Sequence, residues 1–253
     1  KEKKTVDSFL RLSWYCARIL LLAEFILLGS AGNMLFLVYA GASPKTVACI
    51  GKDVNIPDIC KMEEFDISKH NCTLQPEYEF YSLNIEFGYF CKNTALVKGT
   101  ISVQMMGILL GALFWGMFAD IYGRRKALII TLTATVILSV INSYVNDLLT
   151  FNIVRGILSF FNGGALVVYA VYQMEHVPVR HRFLISSIIS WSPNYIIVTC
   201  LAYLSGDWRT FQRILAIITL PAFPIFFFIF ESPRWLIQMG RIEEARRVLT
   251  RMQ

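Results

Sequence analysis

Residues 116–126 read GMFADIYGRRK: an acid, three consecutive bases and two glycines in one short stretch. The stretch interrupts a chain that is otherwise oily. Of its 253 residues, 55% are hydrophobic and 17% are charged, against about 25% charged in an ordinary soluble domain. The apolar residues gather into six runs, roughly 19–40, 100–119, 127–146, 151–173, 184–204 and 211–230. A helix needs about 20 such residues to cross a bilayer. Too little amphipathic sequence remains to cover six helices of this kind in water. The chain therefore reads as an all-α membrane protein, a bundle of six transmembrane helices with the lipid bilayer as its solvent. GMFADIYGRRK closes the second run and opens the third.

Bases in short links collect on the cytoplasmic side. Lys1, Lys3, Lys4, Arg11 and Arg18 precede the first run, and Arg124, Arg125 and Lys126 join the second to the third. Arg180 and Arg182 join the fourth to the fifth; Arg234, Arg241, Arg246, Arg247 and Arg251 follow the sixth. Six crossings put all four groups on one side. The expected layout is a cytoplasmic segment 1–18, a membrane domain 19–230 and a cytoplasmic amphipathic helix within 231–253, with both ends in the cytoplasm. The chain starts without Met and stops inside a helical pattern, so both ends read as cut. The first run is too long for a signal peptide, and no small-residue cleavage site follows it.

The segment 41–98 is then a long external loop carrying six Lys against eight acids. It holds Cys49, Cys60, Cys72 and Cys91, which an oxidising compartment would pair into two disulfides with three possible connectivities. Asn71 opens an N-x-T sequon in the same loop and is expected to be glycosylated.

Topology explains the bases of the opening stretch but not Asp120. That carboxylate falls at the C-terminal end of a span, where the helix dipole disfavours it. It needs a cation, and Arg124, four residues on, is placed to turn back and supply one. Gly123 permits the tight reversal between the helices. Gly107, Gly111 and Gly116 recur along one side of the second run, which suits close packing of membrane helices.

Gly116, Asp120, Gly123, Arg124 and Arg125 resemble the G-x-x-x-D-x-x-G-R-[RK] signature of the major facilitator superfamily. The stretch 155–182, RGILSFFNGGALVVYAVYQMEHVPVRHR, carries Arg155, the Gly163–Gly164 pair, Glu175 and Arg182 in the R…G…E…R pattern of its sugar-porter and organic-ion branches. ESPRWL at 231–236 resembles a further motif of the same branches. The cysteine-bearing loop ending EFGYFCKN at 86–93 is similar to that of the organic cation, anion and zwitterion transporters. The resemblance implies the N-terminal half of a plasma-membrane carrier of small organic ions, working against a second six-helix half absent from this chain. It implies a cytoplasmic latch of Gly116, Asp120, Gly123, Arg124, Arg125, Arg155, Glu175, Arg182, Glu231 and Arg234. In that latch Arg124 and Arg125 would bridge to Glu175, and Glu231 and Arg234 would join the network. Ser232 and Pro233 read locally as an N-cap and first helical residue. The helix that follows would align Ile242, Ala245, Leu249 and Met252 on one face, with Glu243 and Arg247 paired on the other.

Polar residues inside spans are costly and face a cavity or a partner helix. The candidates for a substrate pathway are Asn33, Gln104, Asn162, Tyr169, Tyr172, Gln173, Ser190, Trp191 and Asn194. Glu24 lies one to two turns past Arg18 and is expected to pair near the cytoplasmic edge. No acid marks the centre of the six runs, so the sequence does not assign the charge of a substrate. A carrier and a non-transporting membrane protein both stay open. No nucleophile–base set, phosphate-binding loop, metal-ligand cluster, cofactor motif or nucleic-acid-binding pattern is present, so an enzyme is not expected.

Overall fold

The structure is a computed structural model that describes residues 14–51, 55–56, 72–177 and 191–252. In chain order its helices are α1 (Trp14–Ala40), α2 (Leu83–Glu86), α3 (Thr94–Tyr122), α4 (Arg124–Asn142), α5 (Leu148–His176), α6 (Ser192–Ser205), α7 (Trp208–Thr219), α8 (Ala222–Ile225), α9 (Pro233–Gln238) and α10 (Ile242–Met252). α1, α3, α4 and α5 are long and apolar enough to cross a membrane. The fifth expected run is described only from its middle onward, as α6. The sixth is not one helix. It is broken into α7 and α8, because Pro221 and Pro224 lack the N–H that a continuing helix needs and clash with the preceding turn.

The all-α expectation also fails in the 41–98 segment. Strands β1 (Thr46–Gly51), β2 (Asn55–Ile56) and β3 (Cys72–Glu77) form an antiparallel sheet in the order β2-β1-β3. Thr46 and Val47 are β-branched and suit a pleated surface. Pro76 is tolerated because β3 is an edge strand. Cys60 and Asn71 lie outside the described residues. Among the described residues Cys16 and Cys200 are free thiols.

The two reversals opposite the GRRK turn are set by one local device used twice. Asp147 precedes α5 and accepts from Thr150 N at 2.7 Å; Asp207 precedes α7 and accepts from Thr210 N at 2.7 Å. Each is an N-cap that satisfies an orphan N–H of the first turn. The Thr150 N–H holds the Asp147 carboxyl below the usual carboxylate range. Arg209 ties this end together. It forms a bidentate pair with Glu86 of α2, 2.5 Å at the shortest, and donates to the Ser143 and Val145 carbonyls that end α4.

α3 and α5 pack at backbone contact. A Cβ on Gly107 would lie 2.6 Å from the Gly156 carbonyl oxygen, and one on Gly111 would overlap the Phe160 carbonyl. Gly163 and Gly164 return the favour against Ile108 and Trp115. Gly116 does not belong to this seam: a Cβ there would meet only Val167, at an ordinary 3.9 Å.

The interior has two apolar clusters with a polar layer between them. Tyr15, Ile19, Leu22, Trp115, Leu128, Val168 and Tyr172 anchor the cluster near GRRK; Phe36, Phe151, Trp208, Phe211 and Leu215 anchor the other. The layer is formed by the stretch GSAGN at 29–33 of α1, by Gln104 of α3, by Arg155, Ser159 and Asn162 of α5, and by Gln212 of α7, all buried. Large apolar residues such as Leu113, Met117, Ile196 and Leu204 point outward, as a bilayer or protein partner requires.

Gly111→Val should lower the melting temperature of the detergent-solubilised protein by more than about 5 °C, since overpacking costs about 1–3 kcal/mol or more against backbone. Gly99→Ala, where a Cβ meets nothing within 4 Å, should leave it level or raise it slightly.

Candidate functional site

The GRRK turn is the centre of a compact charged assembly. Gly123 links α3 to α4 at φ +109°, a conformation that residues with a Cβ avoid. A Cβ there would also lie 2.6 Å from Glu231 Oε2. The carboxylate needs that space because it caps α4: the Arg125 backbone N–H donates to Glu231 Oε1 at 3.0 Å and to Oε2 at 3.2 Å. A carboxylate at a helix N-terminus satisfies orphan donors and complements the dipole.

Arg124 and Arg125 diverge. Arg124 is buried; its Nε meets Glu175 at 2.9–3.0 Å and its Nη1 meets Asp120 Oδ1 at 3.0 Å. Glu175 is enclosed with it, whereas the Asp120 side chain is 70% exposed. The Arg124–Glu175 pair is thus the internal brace, and Asp120 presents most of its carboxylate outward. Arg125 does not bridge to Glu175. Its Nη2 donates to the Phe226 carbonyl at 2.7 Å, because the Glu231 cap draws its backbone toward the chain that follows α8.

That following chain is held on both sides. Tyr15 Oη accepts from Phe230 N at 3.0 Å and Tyr172 Oη donates to the Phe230 carbonyl at 2.6 Å. Ser232 caps α9, whose Trp235 indole N–H donates to the Asp120 carbonyl at 2.7 Å. Arg234 sits at the second position of α9. Past a left-handed Gly240, Ala245 and Val248 of α10 pack on Trp235 and Leu236. Ile242 is exposed rather than aligned with them, and Arg241 pairs with Glu244 at 2.6 Å in place of the expected Glu243–Arg247 pair. Glu243 and Arg247 face solvent.

Arg155 is not part of this assembly. It lies twenty residues before Glu175 on α5, about 30 Å away along the axis, in the polar layer. It is fully buried. Nε and Nη2 donate to Gln104 Oε1 at 3.0 and 2.9 Å, and Nη1 donates to Gln212 Oε1 at 3.1 Å. Nη2 also donates to the Asn33 carbonyl. Gln212 Nε2 donates to Asn33 Oδ1 at 2.9 Å, and the Phe36 ring lies 4.3 Å from the guanidinium carbon. Among the described residues every acceptor of Arg155 is neutral. Gln212 and Phe36 were missed in the sequence; a lone glutamine in a run beginning at 211 was the available signal. Arg182 and Ser190 lie outside the described residues.

The expected pathway residues spend their polar atoms inside the bundle. Asn33 and Gln104 serve Arg155. Asn162 donates to the Ser30 carbonyl at 3.1 Å, Tyr169 donates to Gln173 at 2.8 Å, and Tyr172 holds Phe230. All are buried. Asn33, Gln104, Asn162 and Tyr172 bond to neighbouring elements, while Tyr169 and Gln173 pair within α5. Trp191 is partly exposed at the edge of α6. Asn194 donates to Glu24 Oε2 at 2.8 Å, so Glu24 pairs across to α6 and not with Arg18.

The sugar (and other) transporter family profile matches residues 46–253. The chain belongs to the sugar (and other) transporter family. This is a family of membrane carriers and not of enzymes. The chain is 27% identical over 188 residues to solute carrier family 22 member 7 of Rattus norvegicus and 28% identical over 190 residues to its Mus musculus counterpart, matching 74% of this chain in each. It is 29% identical over 170 residues, 66% of this chain, to solute carrier family 22 member 16 of Xenopus laevis. It spans about a third of these relatives: 34%, 33% and 30% of their lengths. Its fold matches the E. coli xylose transporter XylE in a partially occluded inward-open conformation, with TM-score 0.64, 18% identity, and coverage of 95% of this chain and 54% of that one. XylE bound to 6-bromo-6-deoxy-D-glucose, a major facilitator superfamily proton:xylose symporter, matches with TM-score 0.61 over 96% of this chain and 50% of that one.

Two outcomes follow for the protein. Arg155→Ala leaves Asn33, Gln104 and Gln212 without their shared donor and should cost at least about 3 kcal/mol in chemical denaturation. Arg155→Lys, which keeps the charge but loses the fork, should fall between it and the parent. Gly123→Ala should cost about 1–3 kcal/mol from backbone strain alone and lower the melting temperature accordingly.

Proposed function

We propose that this chain is the N-terminal half of an alternating-access carrier for small organic ions, seated in the plasma membrane with both ends cytoplasmic. The single observation that carries it is the assembly at the GRRK turn. It combines an internally braced Arg124–Glu175 pair with an Asp120 carboxylate left largely exposed at the same surface. An exposed acid beside a rigid base can exchange partners as two helical halves rock. The partner half is a second set of six helices, for which the outward apolar faces of α3 and α6 are suited. The family resemblance to solute carrier family 22 proteins supports the organic-ion class. In the external loop, the reading includes disulfides and a glycan at Asn71; it draws support from Cys91, which is bonded whereas Cys16 and Cys200 are free.

A sugar carrier is the second reading, favoured by the fold shared with XylE. Uptake by cells expressing the longest natural transcript that contains this chain separates the two. Labelled tetraethylammonium, carnitine or urate should accumulate and labelled xylose should not. Accumulation of xylose alone would reverse the assignment, and a surface-expressed protein that moves none of the four is not a carrier of either class. Asp120→Asn should slow turnover more than it lowers surface expression; equal losses would make Asp120 a folding residue only.

A further inference from the structure

Glu24 is a carboxylate inside a membrane helix, and its surroundings leave it half served. It lies nine residues past Tyr15, about 13 Å deeper along α1 than the layer where Tyr15 holds Phe230. Counted from residue 19, where the apolar run begins, it lies about 8 Å into a hydrocarbon core about 30 Å thick. Oε2 accepts one hydrogen bond, from Asn194 Nδ2 at 2.8 Å, and Oε1 is enclosed with no partner. An ionisable group at this depth is normally paired or functional. Arg18 is six residues back, about 9 Å along the axis. Arg155 is committed to the layer at Asn33, a further nine residues up. No cation is therefore bound to Glu24 among the described residues.

The residue sits on the open side of α1. Leu21 is exposed one turn before it, and Glu24, Phe25 and Leu28 are each partly exposed. The neighbouring flank of α6 is aromatic. Trp191 and Tyr195 stand one turn apart with Asn194 beside them, and their ring centroids are 6.1 Å from each other. A carboxylate whose amide partner shares a helix flank with two aromatic rings offers the chemistry that recognises organic ammonium groups: charge attracts the cation and ring quadrupoles hold its apolar skirt. The final torsion of a Glu side chain is soft and two-fold, so the free oxygen can swing to the open side without disturbing α1.

We propose that Glu24 is a cation-binding site in which its carboxylate, beside Trp191 and Tyr195 and oriented by Asn194, takes the ammonium group of an organic cation. This rests on the carrier reading and narrows its substrate class. Asn194 is a positioning residue: it fixes one carboxylate oxygen and leaves the other for the ligand.

The test is binding of tetraethylammonium to the full-length protein encoded by the longest natural transcript, purified into lipid nanodiscs and followed by thermal shift and by tryptophan fluorescence. The parent should bind saturably. Glu24→Gln should weaken binding at least tenfold with its ligand-free melting temperature within a few degrees of the parent. Glu24→Asp should retain saturable binding. Trp191→Leu, which keeps the carboxylate, should weaken binding about threefold and serves if Glu24→Gln does not fold. A parent that does not bind tetraethylammonium, or a Glu24→Gln or Trp191→Leu protein that binds it as the parent does, overturns the proposal. Binding that depends on Glu24 in a protein that moves no organic ion would sink the carrier reading and leave this site standing.

Discussion

A full positive charge sits at the centre of the bundle, and among the described residues only neutral oxygens accept from it. Isolated burial of a guanidinium is costly, and a network that satisfies it completely is the condition for tolerating it. Here α1 supplies Asn33 and its carbonyl, α3 supplies Gln104 and α7 supplies Gln212, all converging on Arg155 of α5. Four helices must therefore meet at one level and in one rotation. Apolar packing alone would let them slide by a turn with little penalty in lipid, where tails are as oily as side chains. The polar layer removes that freedom. The two apolar clusters on either side of it inherit their register from Arg155.

The GRRK end follows a different logic. There the strong contacts run from side chain to backbone: Glu231 to the start of α4, Arg125 to Phe226, Tyr15 and Tyr172 to Phe230, and Trp235 to Asp120. Backbone groups cannot swap identity, so these contacts fix where the chain goes. The side-chain ion pairs are graded by exposure. Arg124–Glu175 is enclosed and stiff, while Asp120 is in contact with water and its pair is worth little. The end thus has a rigid interior and one changeable element at its surface.

Much of this was legible in the chain itself. Hydropathy located the four long apolar helices α1, α3, α4 and α5, because a bilayer imposes length and composition together. The spacing of Gly107 and Gly111 announced the tight α3–α5 seam, and the offset of Asp120 and Arg124 announced their pairing. The failures have physical causes. Gly116 has the same spacing as its neighbours but faces an open side, and spacing does not report which side a helix turns inward. Arg155 shares a motif with Glu175, yet their separation of twenty residues places them at opposite levels of one straight helix. Arithmetic on the rise per residue would have exposed this. The break between α7 and α8 was written in Pro221 and Pro224 and overridden by an unbroken apolar run. The pathway asparagines and tyrosines were ambiguous because a buried amide looks the same in sequence whether it meets a ligand or a carbonyl.

The Glu231 cap on α4 joins residues 106 positions apart. Synthesis runs from one end of the chain to the other, so the α3–α4 turn is made long before its cap. Until Glu231 leaves the ribosome, the first amides of α4 have only water or lipid headgroups to bond, and Gly123 has no carboxylate beside it. The corner that begins α4 is thus completed only after the chain through residue 231 has been made, and a nascent chain stalled before residue 231 would hold its earlier spans with that corner still loose.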